Sequence, residues 1–249
     1  MSDLDLMIDF YLQIPRQGPG SAEESLKALK YTGLASKKNL KIGDIGCGTG
    51  AQTLTLAQNL EGNITAVDLF AEFLSALNKN ALKEGCQNRI TTDLQSMDKL
   101  PYDSNSFDLI WSEGAIYIMG FEEGIKSWRS LLRNGGYLVV SEISWFTESR
   151  PVELETYWEN AYAEMDTIEN KKKLIKKYEY ELITSFRLPE YCWIDNYYNP
   201  IRNYLPAYIG KYPNEKAAKD LVEELEMEIA MYEKYKAYYG YAFYIARKC

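Results

Sequence analysis

Short apolar runs alternate with longer amphipathic stretches through the first half of the chain, and each run has the length of a buried strand. Leu40–Ile45, Asn63–Val67 and Arg89–Leu94 read as the first three strands, with Ala51–Leu60 a helix between the first two. Ahead of them, Ser21 and Glu24 make a capping box, and Leu26 with Leu29 gives the apolar stripe of a helix ending near Tyr31. Beyond the core the texture changes. Residues 147–177 read as a charged helical insertion, and a sixth strand falls near Leu182–Leu188. A second helical insertion follows Pro200, with Leu221, Leu225, Ile229 and Tyr232 at helical spacing, and Tyr241–Ala246 reads as a last strand hairpinned against the sheet. No repeat, low-complexity tract or linker interrupts this order. The expected organisation is one α/β domain over residues 1–249: an arm at 1–20, a core at 38–145, insertions at 147–177 and 200–239, and a final strand at 241–249.

The first strand runs into Gly46-Cys47-Gly48-Thr49-Gly50. Glycine combines freedom at positive φ with a missing Cβ, so such a turn brings bare backbone against a ligand. Asp68 stands 20 residues after Gly48, at the end of the second strand, where an acid can take both hydroxyls of a ribose. The pattern implies a cofactor containing adenosine. Gly46, Gly48 and Ala51 also satisfy the G-x-G-x-x-G/A fingerprint, so a nicotinamide-dependent oxidoreductase is one alternative, although no Tyr-x-x-x-Lys pair or histidine stands where hydride chemistry needs it. A non-catalytic protein that keeps the adenosine-binding fold is another.

The tighter string, with Asp44 two residues before Gly46, resembles motif I of the class I S-adenosylmethionine-dependent methyltransferases. In that family the loop passes under the amino-acid part of the cofactor. Gln95-Ser96-Met97-Asp98-Lys99-Leu100-Pro101-Tyr102 is similar to the family's adenine-contacting segment, with Ser96 where the family usually has Asp, so the Met97 backbone N–H would serve adenine N1. Phe107–Trp111 then resembles the fourth strand, and Leu131–Gly136 the turn before a fifth at Tyr137–Ser141. A narrower likeness lies in Arg16-Gln17-Gly18-Pro19-Gly20-Ser21 and in Trp111–Tyr117. Both strings resemble a bacterial subgroup of unassigned substrate near the ubiquinone/menaquinone C-methyltransferase type. The resemblance implies a Rossmann-like, mostly parallel seven-stranded sheet in the order 3-2-1-4-5-7-6, strand seven antiparallel, with helices on both faces. It implies S-adenosyl-L-methionine as cofactor and S-adenosyl-L-homocysteine as product. It also implies a cofactor site made of Arg16, Gln17, Asp44, Gly46, Cys47, Gly48, Asp68, Leu69, Ser96, Met97 and Glu113.

Charge narrows the acceptor. Acidic residues outnumber basic ones, 36 to 28, for a net charge of −8, and no Lys/Arg run is interleaved with aromatics, which disfavours nucleic acid. The four cysteines (Cys47, Cys86, Cys192, Cys249) are scattered and the chain has no histidine, so no zinc site is expected. Reduced thiols, no basic-then-apolar leader and no membrane-length apolar run fit a cytoplasmic protein. A homodimer is compatible with all of this.

Sixteen of the 21 tyrosines lie after residue 150, and most are expected to clothe helices lying on the core. The Cys192–Tyr198 stretch reads instead as a loop with aromatics and a carboxylate, placed where insertions cover the ligand edge of the sheet. Trp145, Trp193, Tyr197 and Tyr198 are therefore the candidate wall for a cationic or planar small-molecule acceptor. Methyl transfer to oxygen or carbon also needs a base. Without histidine, the candidates are Glu113, Tyr117 and Glu142. The two acids also have structural readings: Glu113 as the group that orients the cofactor's ammonium, Glu142 as a cap on backbone N–H groups.

Overall fold

The computed structural model describes residues 2–249. The strands are β1 (Leu40–Ile45), β2 (Gly62–Asp68), β3 (Ile90–Leu94), β4 (Phe107–Glu113), β5 (Leu132–Trp145), β6 (Tyr180–Arg187) and β7 (Tyr239–Lys248). Among the described residues these seven form one sheet in the order β3-β2-β1-β4-β5-β7-β6. Strands β1 to β5 run parallel, and β7 is antiparallel to both β5 and β6, as the resemblance implies. The Asn134-Gly135-Gly136 turn lies inside β5: the pairing jumps from Phe107↔Leu132 to Leu109↔Tyr137, so the extra residues form a bulge and do not end the strand.

The helices in chain order are α1 (Asp3–Tyr11), α2 (Ala22–Lys30), α3 (Ala51–Asn59), α4 (Ala71–Lys83), α5 (Phe121–Trp128), α6 (Val152–Ala161), α7 (Ile168–Lys177), α8 (Tyr191–Trp193), α9 (Asn199–Lys211) and α10 (Lys216–Tyr235). None of them is long and apolar enough to cross a membrane. Ser21 caps α2 by accepting from the Glu24 N–H at 3.0 Å, while the Glu24 carboxylate turns to Lys27 and leaves the box half made. The segment read as an arm begins with α1, whose Ser2 and Asp5 exchange side-chain-to-backbone bonds across its first turn. Leu6, Phe10 and Ile14 from this segment are buried in the main core, so it is a docked part of the domain. The Cys192–Tyr198 stretch is likewise helical: α8 runs through a wide π-type turn at Ile194–Tyr198 directly into α9.

Strand β5 sorts its side chains by parity. Val139, Ile143 and Trp145 face the larger apolar layer, shared with α1 to α4 and α8 to α10. Leu138 and Val140 face the smaller one, against α5 and α7. Glu142 falls on the even side, under the sheet, where its side chain is fully buried. There it pairs with Lys171 of α7 at 2.8 Å, with both side chains at 1 % exposure or less. Lys171 Nζ also sits 4.7 Å from the centre of the Phe121 ring. Burial pushes the Glu142 carboxyl up and the Lys171 amine down, and each partner's charge opposes the other's shift.

A buried pair of this kind is costly to break one-sidedly, because the survivor is left as an uncompensated charge. Lys171→Met is expected to destabilise the protein by about 3–5 kcal/mol in urea unfolding. The double variant Glu142→Leu/Lys171→Met should recover a large part of that loss. A single variant as stable as the parent would show that the pair is already neutral in the folded state.

Candidate functional site

The parallel strands β1, β2 and β4 end on one side of the sheet, and a cavity of about 600 Å³ opens over those ends. Its floor is the turn leaving β1. The Gly46 and Cys47 N–H groups both donate to the Val67 carbonyl at 2.9 Å, which ties the turn to the end of β2. Gly46 (φ +73°) could not carry a side chain, because its Cβ would collide with the Cβ of Ala115. Gly48 (φ +55°) has a backbone that strains any side chain, and a Cβ there would lie 2.7 Å from Gln17 Oε1 and push that side chain aside.

Two acids hold this turn from opposite sides. Asp68 accepts from the Gly48 N–H at 2.8 Å through one oxygen and from the Phe70 N–H at 3.1 Å through the other, and it faces the cavity. Burial raises its carboxyl and those backbone donors pull it back. Asp44 lies behind the turn and off the cavity wall. It accepts from Thr53 Oγ1 at 2.5 Å and Gln52 Nε2 at 3.4 Å, anchoring β1 to the first turn of α3. Burial pushes it up to about 7, since only neutral donors face it.

The chain after α1 closes the near side. Gln17 Oε1 accepts from both the N–H and the hydroxyl of Thr49 at 2.9 Å, and its Nε2 donates to the Tyr11 and Ile14 carbonyls at 3.0 and 3.1 Å. Gln17 is thus a brace between the segment and the glycine turn. Arg16 reaches Glu113 at 2.8 Å in a nearly buried ion pair. Glu113 also accepts from Ser25 Oγ at 2.5 Å and Trp111 Nε1 at 2.9 Å, so three donors occupy it and it is not free to act as a base. Arg16 Nε is buried with no partner among the described residues.

Cys47, Leu69, Ser96 and Met97 all line the cavity. Ser96 gives its hydroxyl to Asp98, and the Met97 carbonyl accepts from Trp128 Nε1 at 3.1 Å, which pins that segment above the sheet. Burial keeps the Cys47 thiol neutral by pushing it well above its ordinary value.

The other end of the cavity is aromatic. Tyr117, Trp193 and Tyr197 from the candidate set lie on it. Trp145 does not: it is buried against Tyr239, with the Arg150 guanidinium 4.5 Å from its ring centre. Tyr198 also stands behind the wall, donating to Glu228 Oε1 at 2.9 Å. Met7 and Tyr11 of α1, Tyr157 and Trp158 of α6, Tyr162, Tyr241 and Glu228 complete this end, and sequence reasoning does not reach them. A signal exists for Glu228. Leu221, Leu225 and Tyr232 mark the buried face of α10, and position 228 falls on that same stripe.

Residues 42–136 match the family model described as a methyltransferase domain. The chain is 28 % identical over 123 residues to "Methyltransferase GfsG" of Streptomyces halstedii, an alignment covering 49 % of this chain and 44 % of that one. The chain therefore spans less than half the length of this curated relative. Among solved structures it resembles a SAM-dependent methyltransferase from Geobacter sulfurreducens in complex with S-adenosyl-L-homocysteine, with a TM-score of 0.83, 18 % identity and 98 % of each chain covered. It also resembles the [4+2]-cyclase SpnF, with a TM-score of 0.76, 19 % identity, 99 % of this chain and 93 % of that one. The strand order and the glycine turn agree with that match, and residues 42–136 are similar to a methyltransferase domain.

Proposed function

We propose that the protein binds S-adenosylmethionine in this cavity and transfers its methyl group to a small molecule. The observation that carries the reading is Asp68. Each of its oxygens is fixed by one backbone N–H, which leaves the remaining lone pairs at the cavity wall for the two hydroxyls of a ribose. Gly46, Cys47 and Gly48, all on the cavity wall, would lie under the methionine part. Arg16 Nε, a buried donor without a partner, would meet its carboxylate. Leu69, Phe73 and the Met97 N–H would hold the adenine. The relationship to the ubiquinone/menaquinone C-methyltransferase type, carried by Arg16–Ser21 and Trp111–Tyr117, is part of this reading and brings no substrate with it.

When bound, the sulfonium supplies an already activated methyl group. What remains for the protein is alignment of the acceptor and exclusion of water. The aromatic end of the cavity suits both, since Trp193 is stacked on Tyr232 at 4.3 Å and 13° and so presents a stiff wall. A small acceptor is also what relatives such as the 27-O-demethylrifamycin SV methyltransferase of Amycolatopsis mediterranei support.

Titration calorimetry should show S-adenosylmethionine and S-adenosylhomocysteine binding and NAD binding much more weakly. Asp68→Ala should lose about 1.5–3 kcal/mol of affinity for S-adenosylhomocysteine, the range for hydrogen bonds to a charged group. Tight NAD binding would overturn the reading. Gln17→Ala removes the acceptor for both Thr49 donors and should weaken cofactor binding by about 1–3 kcal/mol while circular dichroism stays unchanged. Unaltered affinity would mean that the brace is irrelevant to the ligand.

A further inference from the structure

The aromatic end of the cavity holds a charge that nothing balances. Glu228 lines it, and its Oε1 accepts only from the neutral hydroxyl of Tyr198 at 2.9 Å. The nearby cations are committed elsewhere: Arg202 to Glu233 and Lys234 to Glu153. Among the described residues Arg16 is the one cation on the cavity wall, and Glu113 holds it at the glycine end. Burial accordingly raises the Glu228 carboxyl. Around it stand Tyr11, Tyr157, Trp158, Trp193, Tyr197 and Tyr241. Trp193 and Tyr241 meet edge to face at 4.9 Å, and the Tyr11 and Tyr197 hydroxyls lie 3.4 Å apart. Ring faces attract cations, and a half-buried carboxylate with no cation beside it calls for a counter-charge. An anionic acceptor would meet repulsion here and a neutral one would leave the carboxylate unpaired.

We propose that the methyl acceptor carries a basic amine, seated with its nitrogen against Glu228 inside the aromatic wall. This rests on the methyl-transfer reading above and names its substrate class. A bound ammonium has no free lone pair, so Glu228 also acts on its proton. The carboxylate takes the N–H proton and becomes the acid, leaving the neutral amine. The nitrogen pair then forms the bond to the methyl carbon of S-adenosylmethionine while the carbon–sulfur bond breaks. The breaking pair stays on sulfur, giving S-adenosylhomocysteine and a methylated ammonium product, and Glu228 returns its proton to solvent.

The test uses the full chain saturated with S-adenosylhomocysteine, whose binding is measured first by calorimetry. Four probes are then titrated against tryptophan fluorescence, since Trp158 and Trp193 line the cavity. Phenethylamine, 2-phenylethanol and phenylacetate share a ring and differ in charge, and tetramethylammonium is a cation without a ring. The two cations should bind at least about tenfold more tightly than the alcohol and the acid. Glu228→Gln keeps an acceptor for Tyr198 and should abolish that preference without altering the affinity for S-adenosylhomocysteine. Equal binding of neutral or anionic probes, no binding of either cation, or a preference that survives Glu228→Gln overturns the amine proposal. The comparison among probes on the parent protein decides the question even if that variant does not fold. Failure of S-adenosylhomocysteine to bind overturns the methyltransferase reading itself and the amine proposal with it.

Discussion

The turn between β1 and α3 must reverse the chain within a few residues while leaving its backbone bare, and steric crowding permits one way of doing so. Three glycines at positive φ occur in five residues, at Gly46, Gly48 and Gly50. Their missing Cβ atoms make room for Ala115, Gln17 and Leu77, respectively. Each neighbour belongs to a different part of the molecule, so the turn sets where the β4 loop, the segment after α1 and α4 can stand. Asp44 and Asp68 add opposite tethers, one to α3 behind the turn and one to its N–H groups in front. The cavity has its shape because of this turn, and the other walls are positioned against it.

That dependence explains which parts of the molecule are legible in the sequence. A strand ending in closely spaced glycines, followed by an acid at the end of the next strand, is a local signature. From it the Gly46, Gly48 and Asp68 wall can be read, and the sheet order follows from the family resemblance that the signature carries. The failures have physical causes. Glu142 and Trp145 lie on β5 close to its ligand end, but parity turns Glu142 under the sheet and close packing seals Trp145 against Tyr239. Glu113 sits where a base is expected, but Arg16, Ser25 and its own strand neighbour Trp111 occupy it. The Arg16 and Ser25 pairings are long-range and leave no periodic trace.

The aromatic end shows the opposite balance. Its composition is visible, since the tyrosines crowd the second half of the chain, but its membership is not. Helices α1, α6 and α10 each supply part of it, and the amphipathic pattern of a helix tells which face is buried without telling against what. Glu228 is the instructive case. An acid on a buried stripe violates the pattern, and such violations are expected where a site overrides packing. Tyr162, beside the buried Glu142–Lys171 pair yet on the cavity wall, is hidden by the same limit.

Helix α1 and the few residues after it touch both ends of the cavity. Met7 and Tyr11 stand at the aromatic end, while Gln17, six residues on from Tyr11 and bonded to its carbonyl, grips Thr49 at the glycine turn. The cofactor and acceptor proposed for this cavity would thus share one wall. If each bound more tightly to the docked position of that wall, thermodynamic linkage would require the two enhancements to be equal, through a helix that neither ligand has to itself.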